Sequence, residues 1–308
     1  MLFCVLLQPS AFAEVLPGIP GFIDEMVEKH HFDRDTLTRL FDQVNHKPQI
    51  IDAINQPSTK KPWFDYRAAF VNAKRIKLGL VFWKDYQADL QRAEQKYGVP
   101  QEIIVALIGV ETIYGKSTGH FRALDALTTL AFDYPRRADF FRGELENYLL
   151  LAREQHFDYL AVQGSYAGAL GIPQFMPGSY RKYAVDFNGN NKIDLLGEPV
   201  DAIGSVGNYL SSYGWIRAQP IALKARVQVE DVVTDKMQHT QAEWSALGVM
   251  IAEQEGATSR LLEFTRSDGR EYWLGYNNFD VITRYNNSDF YAMTVFQLAQ
   301  ALKLARWP

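Results

Sequence analysis

The feature that most constrains this sequence is an acidic residue, Glu111, that directly follows an apolar run in the helical segment 99–115. Pro100 suits the start of a helix, because its missing N–H would have no partner there. Apolar side chains then recur at helical spacing, at Ile103, Ile104, Leu107 and Ile108. Glu111 follows on the same face, so the sequence predicts a carboxyl group directed into the interior.

A carboxyl group in that position is a candidate general acid. Burial disfavours its charged form and raises its pKa, and the dipole of a helix that ends near Gly115 acts in the same direction. A carboxylic acid that stays protonated near neutral pH can donate a proton to a reacting bond. The structural alternative is a buried Glu111 that pairs with an arginine or lysine and only holds the fold.

The composition is typical of a soluble globular protein with room for two or three domains, since 47% of the 308 residues are hydrophobic and 22% are charged. The net charge of −4 provides no basic field, so no nucleic-acid partner is predicted. Aromatic residues make up 13% of the chain. Their rings suit either a platform for sugar faces or a tyrosine-rich core.

Residues 1–13 have the apolar stretch and the A-x-A ending of a secretory signal, which predicts export. A basic n-region is missing, so an upstream start and a membrane anchor both stay open. Cys4 is the only cysteine in the sequence, so no disulfide can form within the chain. No later stretch is apolar over the 18 residues that a membrane span needs.

Helical patterns dominate the chain. They occur at 22–44 with a break near 33–35, at 63–97, from Pro100 to near Gly115, and at 123–132, 137–155, 199–213 and 289–305. Between 222 and 285 the pattern alternates with period two, and Asp268-Gly269 is a hairpin signal. The sequence therefore predicts a mainly α fold of the α+β class, with a small inserted antiparallel β unit.

A glycine-rich segment, residues 164–180, interrupts the helical pattern. Its small residues let the backbone approach a ligand or another helix closely. Three larger side chains, Gln174, Phe175 and Met176, are held between two prolines. Ser165 lacks the G-x-S-x-G frame of a hydrolase elbow, and a phosphate-loop ending is also absent.

Residues 186–194 follow the calcium-loop pattern of EF-hands, with oxygen-bearing side chains at positions 1, 3, 5 and 9. Asn191 replaces the usual glycine at position 6, and Gly197 replaces the closing glutamate at position 12. Glu198 and Asp201 are the candidates for the closing carboxylate. Few charges predict weak calcium binding, and the alternative is a polar turn without metal.

Four stretches together resemble the B-type lytic transglycosylases, enzymes of the lysozyme-like superfamily that cleave bacterial peptidoglycan. They are Glu111-Thr-Ile-Tyr-Gly115, the 164–180 loop, the 186–194 loop and Ile282-Thr-Arg-Tyr-Asn-Asn-Ser-Asp-Phe-Tyr291. The resemblance implies a helical domain at 14–85 that is completed by the helix at 289–308. It further implies a lysozyme-like core at 86–221 with the EF-hand-like loop at 186–201, and a small β domain at 222–288.

The same resemblance implies the roles of individual residues. Glu111 would be the lone catalytic acid and base, and Ser165 would hydrogen-bond it. The sugar groove would be lined by Tyr66, Gln174, Phe175, Met176, Tyr285, Asn286 and Tyr291. Structural calcium would bind Asp186, Asn188, Asn190, the backbone oxygen of Lys192, and Asp201, with no organic cofactor. The protein would be a periplasmic monomer acting on glycan strands, with cell-wall synthesis or remodelling proteins as further partners.

This chemistry needs only one carboxylate. Most glycosidases use two, and no second acidic residue stands out in the 164–180 loop that would face Glu111. The N-acetyl group of N-acetylmuramic acid can stabilise the anomeric cation, and the C6 hydroxyl of the same sugar can attack it as a tethered nucleophile. Glu111 would first protonate the leaving oxygen and then accept the hydroxyl proton.

Three other functions stay open at this stage. A lysozyme-type hydrolase would use the same acid with water as the nucleophile. A non-catalytic peptidoglycan-binding protein would keep the groove without turnover, which the pairing of Glu111 with Ser165 disfavours. A metal-dependent hydrolase is the weakest alternative, because the six histidines show no H-E-x-x-H spacing.

Overall fold

The computed structural model of the chain describes residues 16–56, 61–228, 237–252 and 256–307. The signal-like segment 1–13 and the residues of the predicted strand after Gln228 lie outside these ranges. The helices are α1 Ile19–His30, α2 Arg34–Phe41, α3 Pro48–Ile54, α4 Trp63–Phe70, α5 Ala73–Asp85, α6 Gln87–Tyr97, α7 Gln101–Thr112, α8 Ala123–Asp133, α9 Ala138–Gln155, α10 Pro177–Tyr183, α11 Pro199–Ser212, α12 Gln241–Ala246, α13 Asn277–Tyr285 and α14 Asp289–Arg306. The strands are β1 Phe121–Arg122, β2 Gln163–Gly164, β3 Ala222–Val227, β4 Val249–Ile251, β5 Arg260–Arg266 and β6 Gly269–Gly275. The predicted mainly helical fold with a small antiparallel sheet is confirmed.

Contacts divide the chain into two compact units. The first contains the described residues up to 56, residues 119–169 and residues 176–178. The second contains residues 61–118, 170–175 and 179–307 among those described. The domain boundaries inferred from the sequence stay predictions.

The described residues of the first unit form helices, connecting loops and the short antiparallel pair β1–β2. The break near residues 33–35 is confirmed, because the side chain of Asp33 caps α2 by accepting a 2.8 Å hydrogen bond from the N–H of Thr36. Helices α8 and α9 pack together in this unit. At Gly168, a Cβ atom would lie 2.4 Å from the Leu127 side chain on α8. At this glycine, the close approach predicted for the 164–180 segment is therefore to a helix.

Helix α7 is the centre of the second unit, where α5, α6, α11 and α14 pack around it. Its residues 103–110 are all buried. The prediction of one apolar face was therefore too narrow, because neighbouring helices cover α7 on all sides. A helix that is apolar all round over its middle turns belongs in a core, and the polar residues of α7 lie in its first turn, at Gln101 and Glu102, and near its end, at Glu111.

The sheet of the second unit has the antiparallel strand order β4-β3-β6-β5. Strands β5 and β6 form the predicted hairpin, although the two loop residues are Ser267 and Asp268. One face of the sheet buries Ala225, Leu261 and Leu274 around Trp244. On β5, Phe264 contacts Trp63 of α4 at 4.7 Å between ring centroids.

Two helices, α12 and α13, lie inside the segment 222–288 that the sequence predicts as β only. The start of α12 carries a recognisable signal, a capping box between Thr240 and Glu243. The start of α13 has no such signal. It is held instead by the buried side chain of Asn278, which bonds the backbone N–H and the backbone oxygen of Ile216 at 2.8 Å each. This tertiary anchor is invisible to periodicity.

Candidate active site

Glu111 is the penultimate residue of α7, which ends three residues earlier than predicted. Ile113 and Tyr114 adopt the left-handed conformation, with φ of 52° and 61°. For residues with a Cβ this conformation costs on the order of 1–2 kcal/mol each. These two residues end the helix after Thr112, and backbone strain of this kind is characteristic of functional sites.

The side chain of Tyr114 stabilises this strained turn. Its hydroxyl donates a 3.0 Å hydrogen bond to the backbone oxygen of Arg75. Its ring lies against two helix backbones where only glycine leaves room. A Cβ atom at Gly79 or Gly109 would lie 2.3 or 2.5 Å from the Tyr114 hydroxyl oxygen.

The turn also holds the next loop of the unit. The hydroxyl of Thr112 donates a 2.7 Å hydrogen bond to the backbone oxygen of Ile172 and accepts one of 2.9 Å from the N–H of Gly115. Val110 and Thr112, the neighbours of Glu111 in the chain, are buried, whereas Glu111 itself keeps part of its surface accessible. The acid therefore lies at the boundary of the core.

The carboxyl group of Glu111 has one protein hydrogen bond among the described residues. The hydroxyl of Tyr291 donates it to Oε1 at 2.5 Å. Burial raises the pKa of Glu111 to about 7, and the bond from Tyr291 acts in the opposite direction. Both protonation states are therefore accessible near neutral pH, which suits an acid that must later act as a base.

Three tyrosines interact electrostatically with this carboxyl group: Tyr66, Tyr285 and Tyr291. Burial raises the pKa of Tyr66 to about 12, and the negative charge of Glu111 adds to the effect. The pKa values of the other two are also raised well above the usual value by burial and by Glu111. All three stay neutral, so these neighbours of Glu111 are uncharged phenols.

The rings of Tyr285 and Tyr291 lie nearly parallel, with centroids 6.4 Å apart and an interplanar angle of 12°. The Tyr285 hydroxyl donates a 2.5 Å hydrogen bond to the backbone oxygen of Pro173. Tyr209 of α11, which the sequence analysis did not single out, packs against the Tyr285 ring at 4.8 Å. No local pattern distinguished Tyr209 from other helical aromatics.

Residues 170–175 present Gln174 in a left-handed conformation with φ of 53°. Its amide donates hydrogen bonds to the backbone oxygens of Gly171 at 2.9 Å and Thr118 at 3.0 Å. Phe175 is only 2% exposed. Its ring lies 5.7 Å from that of Tyr285, so its observed role is to support a tyrosine from behind.

The other predicted site residues lie outside this group. Ser165 and Met176 belong to the first unit, so the expected bond from Ser165 to Glu111 stays a prediction. The Ser165 hydroxyl accepts hydrogen bonds from the N–H groups of Ala167 and Ala169, which leaves its proton free to donate elsewhere. Asn286 is exposed immediately after α13.

The EF-hand-like loop is pre-organised by side-chain acceptors. The carboxylate of Asp186 accepts hydrogen bonds from the N–H groups of Gly189, Asn190 and Asn191 at 2.7–3.2 Å. Asn191 has a φ of 66°, as expected for the residue that replaces the glycine. The backbone follows the turn that a calcium loop requires.

The two candidates for the closing carboxylate have different environments. Asp201 is fully buried, and its two oxygens accept hydrogen bonds from the N–H groups of Phe187, Asn188 and Asp194. The Glu198 carboxylate instead faces the side-chain amides of Asn188 and Asn190. Glu198 therefore fits the ligand role better than Asp201, whose observed role is to hold the loop together. Residues 16–307, apart from the gaps in the description, contain no cluster of three or more histidine, cysteine or acidic residues that could hold a metal.

Comparison with known proteins identifies the family. The model of the transglycosylase SLT domain matches residues 16–300, nearly the whole chain. The chain belongs to this family. It is 44% identical over 303 residues to the membrane-bound lytic murein transglycosylase B of Escherichia coli K12, covering 94% of this chain and 84% of that protein.

Two solved structures add ligand information about relatives. The Escherichia coli lytic transglycosylase Slt35 in complex with calcium has a TM-score of 0.90 and 43% identity, with 95% of this chain and 94% of that chain covered. SltB3 of Pseudomonas aeruginosa in complex with NAG-anhNAM-pentapeptide has a TM-score of 0.83 and 29% identity, with 92% and 78% covered. Both relatives share the fold described above. No helix in the described part of this chain is long and apolar enough to cross a membrane.

Proposed function

We propose that this protein is a lytic transglycosylase that cleaves the β-1,4 bond between N-acetylmuramic acid and N-acetylglucosamine in peptidoglycan. The observation that carries the proposal is Glu111, a partly buried carboxyl group with a pKa near 7 that accepts a phenol hydrogen bond beside further tyrosines. Membership of the transglycosylase family supports the substrate class.

Glu111 acts twice in the proposed reaction. As the neutral acid it protonates the glycosidic oxygen, and the bond to the anomeric carbon breaks. As the carboxylate it accepts the proton of the C6 hydroxyl, whose oxygen closes a 1,6-anhydro ring on the same sugar. Tyr291 limits the rise in the pKa of Glu111 in both steps, because its hydrogen bond stabilises the carboxylate that forms.

The environment of Glu111 supports a mechanism with one carboxylate. Its pKa is governed by burial and by Tyr291, and no second carboxylate among the described residues contributes to its shift. The neighbouring groups Tyr66, Tyr285 and Tyr291 are neutral phenols. When the nucleophile is a tethered hydroxyl in place of water, no carboxylate is needed on the opposite sugar face to activate a water molecule.

The same acid would serve a lysozyme-type hydrolase, so the chemical form of the product is the decisive experiment. Purified cell-wall sacculi are digested, and the released muropeptides are analysed by mass spectrometry before and after borohydride reduction. We expect products that resist reduction and that are one water lighter than the hydrolysed form. Products with reducible muramic acid ends would assign the protein to the hydrolases. The Glu111→Gln variant, purified in parallel, controls for contaminating lytic enzymes.

We assign weak structural calcium to the 186–198 loop, with Asp186, Asn188, Asn190, the backbone oxygen of Lys192 and Glu198 as ligands. Oxygen donors of this kind suit a hard cation, and a calcium complex of a relative supports the choice. Bound calcium would supply stability and no step of the reaction. Gln174 and Asn286 complete the part of the proposed substrate site that lies in the second unit, and the roles predicted for Ser165 and Met176 stay predictions.

The proposed location is the periplasm, where peptidoglycan lies. It rests on the signal-like segment 1–13 and on the substrate. We propose glycan strands as the binding partner and a monomer as the active form.

A further inference from the structure

Arg260, the first residue of β5, carries a positive charge into the interior of the second unit. The residue is 7% exposed. A buried guanidinium is tolerated only when it is paired and hydrogen-bonded. Here three of its nitrogens are used: Nε donates to Asp280 at 2.7 Å, and Nη1 and Nη2 donate to the two oxygens of Asp289 at 3.0 and 2.6 Å.

The two aspartates lie on different helices. Asp280 is in α13 and Asp289 is the first residue of α14. The guanidinium also lies over the buried ring of Phe279, 5.3 Å from its centroid. One side chain from the sheet therefore joins the first turn of α13 to the start of α14, which follows the three-residue connection 286–288.

This corner carries two of the tyrosines of the active site. Tyr285 is the last residue of α13, and Tyr291 lies in the first turn of α14, where its N–H bonds the hydroxyl of Ser288 at 3.3 Å. Tyr291 reaches Glu111 and Tyr285 reaches Pro173 through hydrogen bonds of 2.5 Å each. Each of these is a single hydrogen bond, and its length depends on the position of the α13–α14 corner.

We propose that Arg260 is a positioning residue, which holds the α13–α14 corner so that the Tyr291 hydroxyl stays on Oε1 of Glu111. The proposal rests on the proposed function of Glu111 as the acid and base. The planar guanidinium reaches both aspartates through a fixed fork, which the single ammonium of a lysine cannot reproduce. A displacement of about 1 Å at a reacting centre can cost on the order of 10²-fold in rate.

The test compares two arginine-to-lysine changes on the same strand. Arg260→Lys keeps the charge and loses the fork. Arg266→Lys is the matched control, because Arg266 is exposed at the other end of β5 and bonds only Asp268 through a two-nitrogen contact. We expect kcat on sacculi to fall about tenfold or more for Arg260→Lys with KM within about twofold, and to stay unchanged for Arg266→Lys.

The pH profile separates positioning from a loss of stability. The titratable groups that face Glu111 are Tyr66 on α4, Tyr285 on α13 and Tyr291 on α14. Of these three, Tyr291 is the one whose hydroxyl bonds the carboxylate, and this bond lowers the pKa of Glu111. Loosening the corner should therefore raise that pKa and move the alkaline limb of the kcat profile to higher pH.

A double-variant comparison makes this readout specific. Tyr291→Phe should move the alkaline limb in the same direction. If Arg260 acts through the Tyr291 hydroxyl, adding Arg260→Lys to Tyr291→Phe should move the limb no further. Independent, additive shifts of the two variants would overturn the proposal.

Other outcomes also decide the matter. Unchanged kcat and pH profile in a folded Arg260→Lys protein would overturn the positioning role. If that variant does not fold, Asp289→Asn takes its place, since it weakens the same clamp while Arg260 keeps Asp280. Failure of the proposed function has a different signature, namely an active Glu111→Gln enzyme or reducing-end products from the unaltered protein.

Discussion

The hydroxyl of Tyr291 and the carboxyl group of Glu111 lie 2.5 Å apart, although the two residues are 180 positions apart in the chain. This contact opposes the effect of burial. Burial favours the neutral acid, whereas the phenol proton favours the carboxylate. The balance leaves the pKa of Glu111 near 7, where both protonation states are accessible.

Changing Tyr291 to Phe should raise the pKa of Glu111 further, because only the stabilising contact of the charged form is lost. Glu111 would then stay protonated, and able to donate its proton, up to a higher pH. The carboxylate would be a weaker partner in the later step, because the hydrogen bond that stabilises it is lost. We expect lower kcat with an alkaline limb displaced upward, measured as initial rates of sacculus digestion across pH 5–9. An unmoved limb would show that Tyr291 does not control the acid.

Changing Glu111 to Gln should reduce turnover by about 10²–10⁴-fold or more, because the amide keeps the shape but cannot donate the proton. Stability should change in a pH-dependent manner. The folded pKa is raised above the ordinary value of 4.5, so ionisation destabilises the native state as pH rises from 4.5 to 7.

The Gln variant does not undergo this ionisation. Below pH 4.5 its free energy of unfolding should lie close to that of the unaltered protein. Above pH 7 the variant should be the more stable of the two, with about 3 kcal/mol as a ceiling. Denaturant unfolding at pH 5 and pH 8 measures the difference, and a gap that does not grow with pH would contradict the raised pKa.

Changing Gly109 to Ala should destabilise the protein through the strained turn after Glu111. The new methyl group would lie 2.5 Å from the Tyr114 hydroxyl oxygen, so the ring must leave its place. Overpacking of this kind typically costs about 1–3 kcal/mol. Gly143, whose Cβ position is open, provides the control, and a Gly143→Ala variant should melt normally. Equal melting temperatures for the two variants would refute the packing argument.

The 186–198 loop allows the two acidic candidates to be separated. Changing Glu198 to Gln should remove the increase in melting temperature that calcium produces, while the calcium-free protein melts normally. Changing Asp201 to Asn should lower the melting temperature even without calcium, because its oxygens accept three backbone N–H groups. If the melting curves of the unaltered protein with and without calcium superimpose, the loop is a polar turn that binds no metal.

Much of this protein could be predicted from local sequence. Glu111 stands out because an acidic residue in an apolar helical run has few uses. The hairpin β5–β6, the break before α2 and the turn at Asp186 follow from caps, turn residues and periodicity, which act over a few residues. The resemblance to the family also predicts Tyr66, Tyr285 and Tyr291 as site residues before any contact is known.

Tertiary structure decided what those residues do. Phe175 becomes a support for Tyr285, Asp201 becomes a buried acceptor for backbone N–H groups, and Arg260 becomes the clamp of the α13–α14 corner. The partners of Phe175 and Arg260 lie on other elements of the fold, and those of Asp201 lie 7 to 14 residues away in one loop. The geometry of each set is fixed only when the chain folds. Periodicity reports which side chains are buried, but it cannot report which buried groups meet. The pKa of Glu111 belongs to the same class, because burial and the Tyr291 hydroxyl exist only in the folded chain.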